Sequence, residues 1–433
     1  MNDTGSRILV IYSWDRLWSL GPGKGSPDFY LSLKALAGGF SKVVLVYPAG
    51  KSPLQDELPQ GVEGFSFRWP GRSLAIKAPA SLRDRKEWHV LTLRAVLFSV
   101  NWLLRIFSSL SFTMSAFLAG QAAARKSRPQ VVAAYGYLAV PAARLIALRR
   151  GVRLVVRLFG VSLGMKGFSA WARIAQFEET LSFKLKADRW VITNDGSGGE
   201  EAARRLGVPA AKIVHLLCGV ERASPGENYD PEEYRRSFGL PAEAKILLRV
   251  ARLWPQQHIE RMLSQMPARL PGGVPVAAVI VGDGPEREYL EKLAASLGVR
   301  AIFTGALKNS DLGRHYECAD LYVATSDRTN LTNSVLEALC RGLPVVALDT
   351  GHTGSLIQDG VNGMLVGFEK NRSLDHLGKK ILGLLSDEPL RRKLSRGALR
   401  TAEELIPGLE ERMRQEVDAF SFKSPSQSAR KGK

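Results

Sequence analysis

Short apolar runs rich in β-branched residues alternate along the chain with longer stretches of helical period. In the first half, the runs at 8–11, 43–46, 131–134, 154–156, 190–192 and 213–217 predict strands. The pattern restarts in the second half at 246–250, 277–281, 302–303, 321–324, 345–347 and 365–366. Runs that are apolar on both faces and separated by helix-length stretches indicate βαβ units with parallel sheets. Two such series predict two doubly wound α/β domains, at 1–222 and 223–422. The joint between them is the polar segment 222–234, RASPGENYDPEEY, with two prolines and a glycine. The last helix is expected to pack back on the first domain, and the basic tail 423–433, KSPSQSARKGK, is expected to be disordered.

One stretch departs from the pattern. Residues 106–124 carry no charge, close to the roughly 20 residues that span a bilayer. Ser108, Ser109, Ser111, Thr113, Ser115 and Gln121 dilute it, and Leu93, Val96, Leu97, Val100, Leu104 and Phe107 before it mark one face of an amphipathic helix. The pattern predicts a pair of helices covering a sheet. A second reading places Trp102, Phe107, Phe112 and Phe117, with neighbouring arginines, in a membrane interface.

Charge sharpens this picture. The chain of 433 residues has a net charge of +18. Residues 1–222 hold 31 basic and 15 acidic side chains, whereas 223–433 hold 29 and 27. No acidic residue lies between Trp88 and Phe177, while twelve basic ones from Arg94 to Arg173 do, which predicts one strongly basic face in the first half and anionic partners for it. Cys218, Cys318 and Cys340 are far apart and lack metal-ligand spacing, so neither a disulfide framework nor structural zinc is expected and a reducing compartment fits. The first 28 residues do not read as a signal peptide.

The chemistry gathers at strand ends in the second half. The strand at 277–281 runs into Gly282-Asp283-Gly284-Pro285 and then a helix, an arrangement that suits close approach to an anion. The strand at 321–324 leads into Thr325 to Asn333 and then a short helix, 334–341, that Gly342 ends. Asn333 or Thr332 suits its N-cap. Glu337 lies one turn in, where it either reaches a ligand or merely offsets the helix dipole.

Six ordered segments carry a resemblance: Ala251-Arg252-Leu253, Val281 to Pro285, Phe303-Thr304-Gly305, Tyr316 to Asp320, Ser334 to Val346, and Asp359 to Gly363. In this order they resemble family 4 of the retaining glycosyltransferases, closely over 245–366 and more loosely in the first half. The resemblance implies a GT-B architecture of two Rossmann-like domains facing across a cleft and closing on the substrates. It implies a nucleotide diphosphate sugar of the UDP or GDP type on the second domain, the acceptor on the first, and neither metal nor other cofactor. The sequence contains no Asp-x-Asp.

Carried over by position, Arg252 would contact the diphosphate and Glu337 the ribose. Gly282, Asp283 and Gly284 would line the nucleotide side, and Arg328, Asn330, Leu331, Thr332 and Asn333 would approach the phosphate or sugar. Gly23, Lys24 and Gly25 resemble a loop that closes over the donor. Three positions depart from the family: Thr329 stands where a first glutamate touches the sugar, Gln257 where a lysine follows the arginine, and Phe159 where a histidine precedes Gly160 on the acceptor side. Either the site is rewired, with Lys24 or Arg328 supplying charge and Thr329 or Asn330 meeting the sugar, or the chain is a non-catalytic binding partner of another transferase.

The expectation is therefore a cytoplasmic glycosyltransferase, peripheral on the inner face of a membrane, acting on a lipid-linked or polysaccharide acceptor. A specific nucleic-acid partner is disfavoured, because no helix-turn-helix or RNA-binding motif accompanies the charge. A nicotinamide enzyme is disfavoured by the lack of a GxGxxG turn after the first strand.

Overall fold

The computed structural model describes residues 6–13, 28–49, 58–70, 88–163, 168–221, 229–368 and 373–422. They form two compact units, the first drawn from 1–193, 199–216 and 413–431, the second mainly from 194–198 and 217–412.

Unit 1 is built on seven strands: β1 (Arg7–Tyr12), β2 (Lys42–Pro48), β3 (Val62–Phe67), β4 (Val131–Tyr135), β5 (Arg153–Leu158), β6 (Arg189–Asn194) and β7 (Ile213–Leu217). Their order is β3-β2-β1-β4-β5-β6-β7, with parallel pairings such as Ile8 opposite Val43 and Val131. Period two divides β1 between two cores: Leu9 and Ile11 pack on one face, Ile8 and Val10 on the other. The predicted strands are all present. β3 has no counterpart in the predicted set, because VEGFSF is an edge strand, half-exposed and broken by a glycine, and never forms an apolar run.

The last helix, Leu409–Ser421, brings buried Ala419 and Phe420 onto the Ile8/Val10 face of this sheet. Its Glu416 accepts from the Tyr135 hydroxyl at 2.8 Å and forms a buried ion pair with Arg157 of β5 at 3.2 Å.

Residues 88–127 are one continuous helix, Trp88–Ser127, not the expected pair. The segment contains no glycine or proline before Gly120, so nothing interrupts the backbone ladder. Its second part covers the sheet through Phe112, Ala116, Ala123 and Ala124, all fully buried. Its first part overhangs the sheet and leans on the short helices Ala170–Ala175 and Phe177–Lys184. Trp102 donates to the Ile174 carbonyl at 3.0 Å, and Arg105 pairs with Glu178. Val96 and Phe107, expected on a buried face, are over half exposed. With Leu103, Leu110, Met114 and Leu118 they form one exposed apolar stripe.

The acid-free segment is likewise not a single basic face. Arg157 is buried against Glu416 and Arg105 is engaged by Glu178, a carboxylate just beyond the segment. Arg125, Lys126 and Arg128 lie at the end of the long helix, and Arg149 and Arg150 end the helix Ala139–Arg150. Both helices end where the next strand begins, which puts these cations at the amino edge of a parallel sheet.

Unit 2 has six strands: β8 (Lys245–Val250), β9 (Val276–Val281), β10 (Arg300–Gly305), β11 (Leu321–Ala324), β12 (Val345–Asp349) and β13 (Gly363–Gly367). Their order is β10-β9-β8-β11-β12-β13, with parallel pairings throughout. The strand order reverses between β8 and β11, the switch point beside which open parallel sheets bind ligands at their carboxyl ends. One core holds Ile246, Leu248, Ala277 and Val279; the opposite core holds Leu247, Ala278 and Ile280.

A buried histidine makes this unit acid-sensitive. His315, fully buried in the helix Gly313–Cys318, has Nδ1 2.6 Å from the Tyr234 hydroxyl, and burial lowers its pKa from 6.5 to about 4. A histidine held neutral in the fold binds its proton only on unfolding, so stability falls as pH drops from about 6.5 to about 4. At 1.36 kcal/mol per pH unit the loss is about 3 kcal/mol. Denaturation at pH 7, 5.5 and 4.5 should show it, and His315→Gln should flatten the dependence. Equal slopes in both proteins would refute this assignment. Burial raises the Cys318 thiol to about 11.

Candidate active site

The carboxyl ends of β8, β9 and β11 bring together the residues singled out in the second half of the sequence. β8 runs into Ala251-Arg252-Leu253. The Ala251 N–H donates to the Val281 carbonyl and the Leu253 N–H to the Asp283 carbonyl, both at 3.0 Å, so this loop lies directly on the Gly282–Gly284 turn. The glycines make that contact feasible. Gly282 has φ of +137°, and a side chain there would collide with the Ala251 carbonyl; one at Gly284 would collide with the backbone of Leu253. The sequence suggested that these glycines admit a ligand, and what they admit in the structure is the loop that carries Arg252. Asp283 is exposed, and its Oδ1 accepts from the Gly284 N–H. The Arg252 guanidinium is exposed and has no hydrogen bond or ion pair among the described residues.

β11 leads through Thr325–Thr332 to the helix Asn333–Cys340. Thr332 is the N-cap residue, but its side chain makes no capping bond. The helix therefore presents its first N–H groups and positive dipole end without a side-chain cap. Glu337, half-buried, accepts from the Tyr316 hydroxyl at 2.6 Å. Burial and the adjacent Glu337 hold the Tyr316 pKa well above 10, so this hydroxyl keeps its proton and fixes the carboxyl from behind. Tyr322 stacks on Tyr316 and holds Ser334 at 2.9 Å, which ties the start of the helix to the sheet.

The preceding loop spends its polar groups on itself. Asn330 is fully buried. Its amide nitrogen donates to the Leu348 carbonyl at 2.8 Å and to Thr350 Oγ1 at 3.0 Å, and its Oδ1 accepts from the Ser326 N–H. That corrects the expectation that the Asn330 side chain meets a sugar: it locks the loop onto β12. The Thr329 hydroxyl donates to the Asp195 carbonyl at 2.9 Å and accepts from the Leu331 N–H at 3.1 Å, and Leu331 is itself buried. Arg328 is exposed at the loop tip.

Gln257 occupies the turn Pro255–Gln257 after Arg252, where its Oε1 accepts from Arg249 of β8 at 2.7 Å. Arg249 was missed in the sequence, although an arginine inside the apolar run KILLRV was a visible anomaly. In unit 1, Phe159 and Gly160 follow β5, and Phe159 lies over the Arg157 guanidinium at 4.2 Å. Gly23, Lys24 and Gly25 lie outside the described residues.

Comparison with known proteins bears on this arrangement. Residues 230–401 match the family described as Glycosyl transferases group 1. Over 186 residues the chain is 34% identical to an uncharacterized glycosyltransferase of Methanocaldococcus jannaschii, covering 42% of this chain and 47% of that protein. Over 156 residues it is 33% identical to a GDP-mannose-dependent alpha-mannosyltransferase of Corynebacterium glutamicum, covering 36% of this chain and 35% of that one. These matches span less than half the length of either relative. The structure of Anabaena HepE in complex with UDP resembles the chain with a TM-score of 0.65 at 19% identity, covering 96% of this chain and 100% of that one. The second unit therefore matches the glycosyl transferases group 1 in sequence, and the chain as a whole has the GT-B fold.

Proposed function

We propose that the protein transfers a sugar from a nucleotide diphosphate donor to a hydroxyl of a lipid-linked or polysaccharide acceptor, with retention and without a metal. The observation that carries this reading is the exposed Arg252 guanidinium, which has no side-chain partner among the described residues, beside the switch point of unit 2 and on the same sheet edge as the uncapped helix bearing Glu337. Arg252 meets the diphosphate with a forked pair of N–H donors and stabilises it as negative charge grows during departure. Glu337, held by Tyr316, accepts from the ribose hydroxyls. The bond from the anomeric carbon to the phosphate oxygen breaks as the acceptor oxygen bonds to the same face of that carbon. The departing phosphate takes the acceptor's proton, so the step needs no separate protein base.

The names of the relatives support either base: one uses GDP-mannose, and HepE holds UDP. Calorimetric titration with UDP, GDP and their sugar derivatives tests the reading. Tight binding of one nucleotide supports it, and no binding to any by folded protein leaves only a non-catalytic role.

The acceptor side follows from unit 1. The stripe Leu103, Phe107, Leu110, Met114 and Leu118, with exposed Trp171 and Ile174 beside it, suits a membrane interface, where apolar burial anchors the acceptor-bearing unit on a lipid surface. The helix is long and apolar enough to cross a bilayer, but Phe112, Ala116, Ala123 and Ala124 are buried in unit 1, so crossing would strip them from its core. This reading makes the protein a peripheral one on the cytoplasmic face of a membrane. It should float with anionic liposomes and keep a salt-resistant share of that binding. Leu103→Glu with Leu110→Glu should abolish the resistant share, and undiminished flotation by this variant would refute the site.

A further inference from the structure

Of the buried arginines, Arg249 and Arg391 have only neutral partners among the described residues, and of these two Arg249 is the one at a strand's carboxyl end. It lies near the carboxyl end of β8, at the switch point, and is 2% exposed. Arg157 has Glu416 as its counter-ion and Arg235 has Asp320. Arg249 has only neutral partners among the described residues: the Val323 carbonyl at 3.2 Å, Gln257 Oε1 at 2.7 Å and the Tyr322 ring at 5.9 Å. Its buried Nε has no hydrogen-bond partner. A buried cation without a counter-ion is costly, and a fold that keeps one at a ligand crevice is arranged for an anion to arrive there.

The geometry also orients Gln257. A guanidinium can only donate, so the Gln257 atom facing it is the amide oxygen. The amide nitrogen therefore points away from Arg249, and its two hydrogens have no acceptor among the described residues. The backbone beneath is pinned: Thr325 Oγ1 donates to the His258 carbonyl at 2.8 Å, with the Gln257 carbonyl at 3.1 Å. This turn follows Arg252 directly.

We propose that Arg249 and Gln257 act as one anion-binding unit for the donor's diphosphate. The Gln257 amide donates to a phosphate oxygen, and Arg249 behind it supplies positive charge and holds the amide in the donating orientation. Gln257 is the contact and Arg249 the positioning residue. This inference rests on the reading of unit 2 as a nucleotide diphosphate site.

The test compares a nucleoside diphosphate with its parent nucleoside, using the base that the wild-type protein prefers. Gln257→Ala and Arg249→Met should each weaken the diphosphate roughly tenfold to a hundredfold, the range for a charge-assisted hydrogen bond. Nucleoside affinity should stay unchanged. The double variant should lose little more than either single one, because the two residues act as one. Without ligand, Arg249→Met should melt no lower than wild type, since an apolar side chain replaces an uncompensated charge. A merely structural arginine would instead lower the midpoint. Unchanged diphosphate affinity in the variants, additive losses, or a destabilised Arg249→Met would overturn the proposal while leaving the nucleotide site standing. If wild type binds the nucleoside but no diphosphate, both fall.

Discussion

Arg252→Ala is expected to lower kcat on the order of 100- to 1000-fold, the usual loss when a donor that stabilises leaving-group charge is removed. The side chain is exposed and has no partner among the described residues, so its removal leaves none of their polar groups unsatisfied. Folding stability should change by no more than about 0.5 kcal/mol. That separation makes Arg252 a cleaner probe than Glu337, whose loss would also strand the buried Tyr316 hydroxyl. Arg252→Lys should recover only part of the rate, because an ammonium cannot present a fork of two parallel donors. The measurement is the transfer rate at saturating donor, with the nucleotide sugar chosen by titration. A variant that binds and turns over like wild type would remove Arg252 from the reaction.

The second large effect concerns unit 1. Glu416→Ala is expected to destabilise it by about 3–5 kcal/mol, the cost of leaving one member of a buried ion pair alone. Arg157 would keep the Leu158 carbonyl at 2.6 Å and Thr193 Oγ1 at 2.7 Å, but no counter-ion, and Tyr135 would lose its acceptor. Urea unfolding followed by tryptophan fluorescence should show a lower midpoint. Replacing both Arg157 and Glu416 by methionine should restore much of the loss, since no charge then remains buried. Equal midpoints for wild type and Glu416→Ala would mean that water reaches Arg157. Phe159 lies over the same guanidinium, so the pair also supports the segment expected to face the acceptor.

The strands were legible because each is buried on both faces, which demands successive apolar residues, and helix-length stretches separate them. The same logic explains the omission of β3, whose edge position lifts that demand. The long helix misled because local amphipathicity shows that a helix has an apolar face, not what covers it. Val96 and Phe107 have the residue types of a covered face and the exposure of an open one.

At the candidate site, turn chemistry and helix signals located the loops correctly, but side-chain assignments within them needed the fold. Nothing local in Thr329 and Asn330 tells that their polar groups are spent on Asp195, Leu348 and Thr350, residues distant in sequence. The sequence by itself determined the two parallel α/β units, the order of the loops at their strand ends and the residue types in them, because hydrophobic period and glycine placement are local properties. The tertiary structure alone decided that the Gly282–Gly284 turn accommodates its own chain, that Arg157 finds Glu416, and that Arg249 finds no carboxylate among the described residues. A counter-ion is a matter of distance in space, and for Arg157 it stands 259 positions away along the chain.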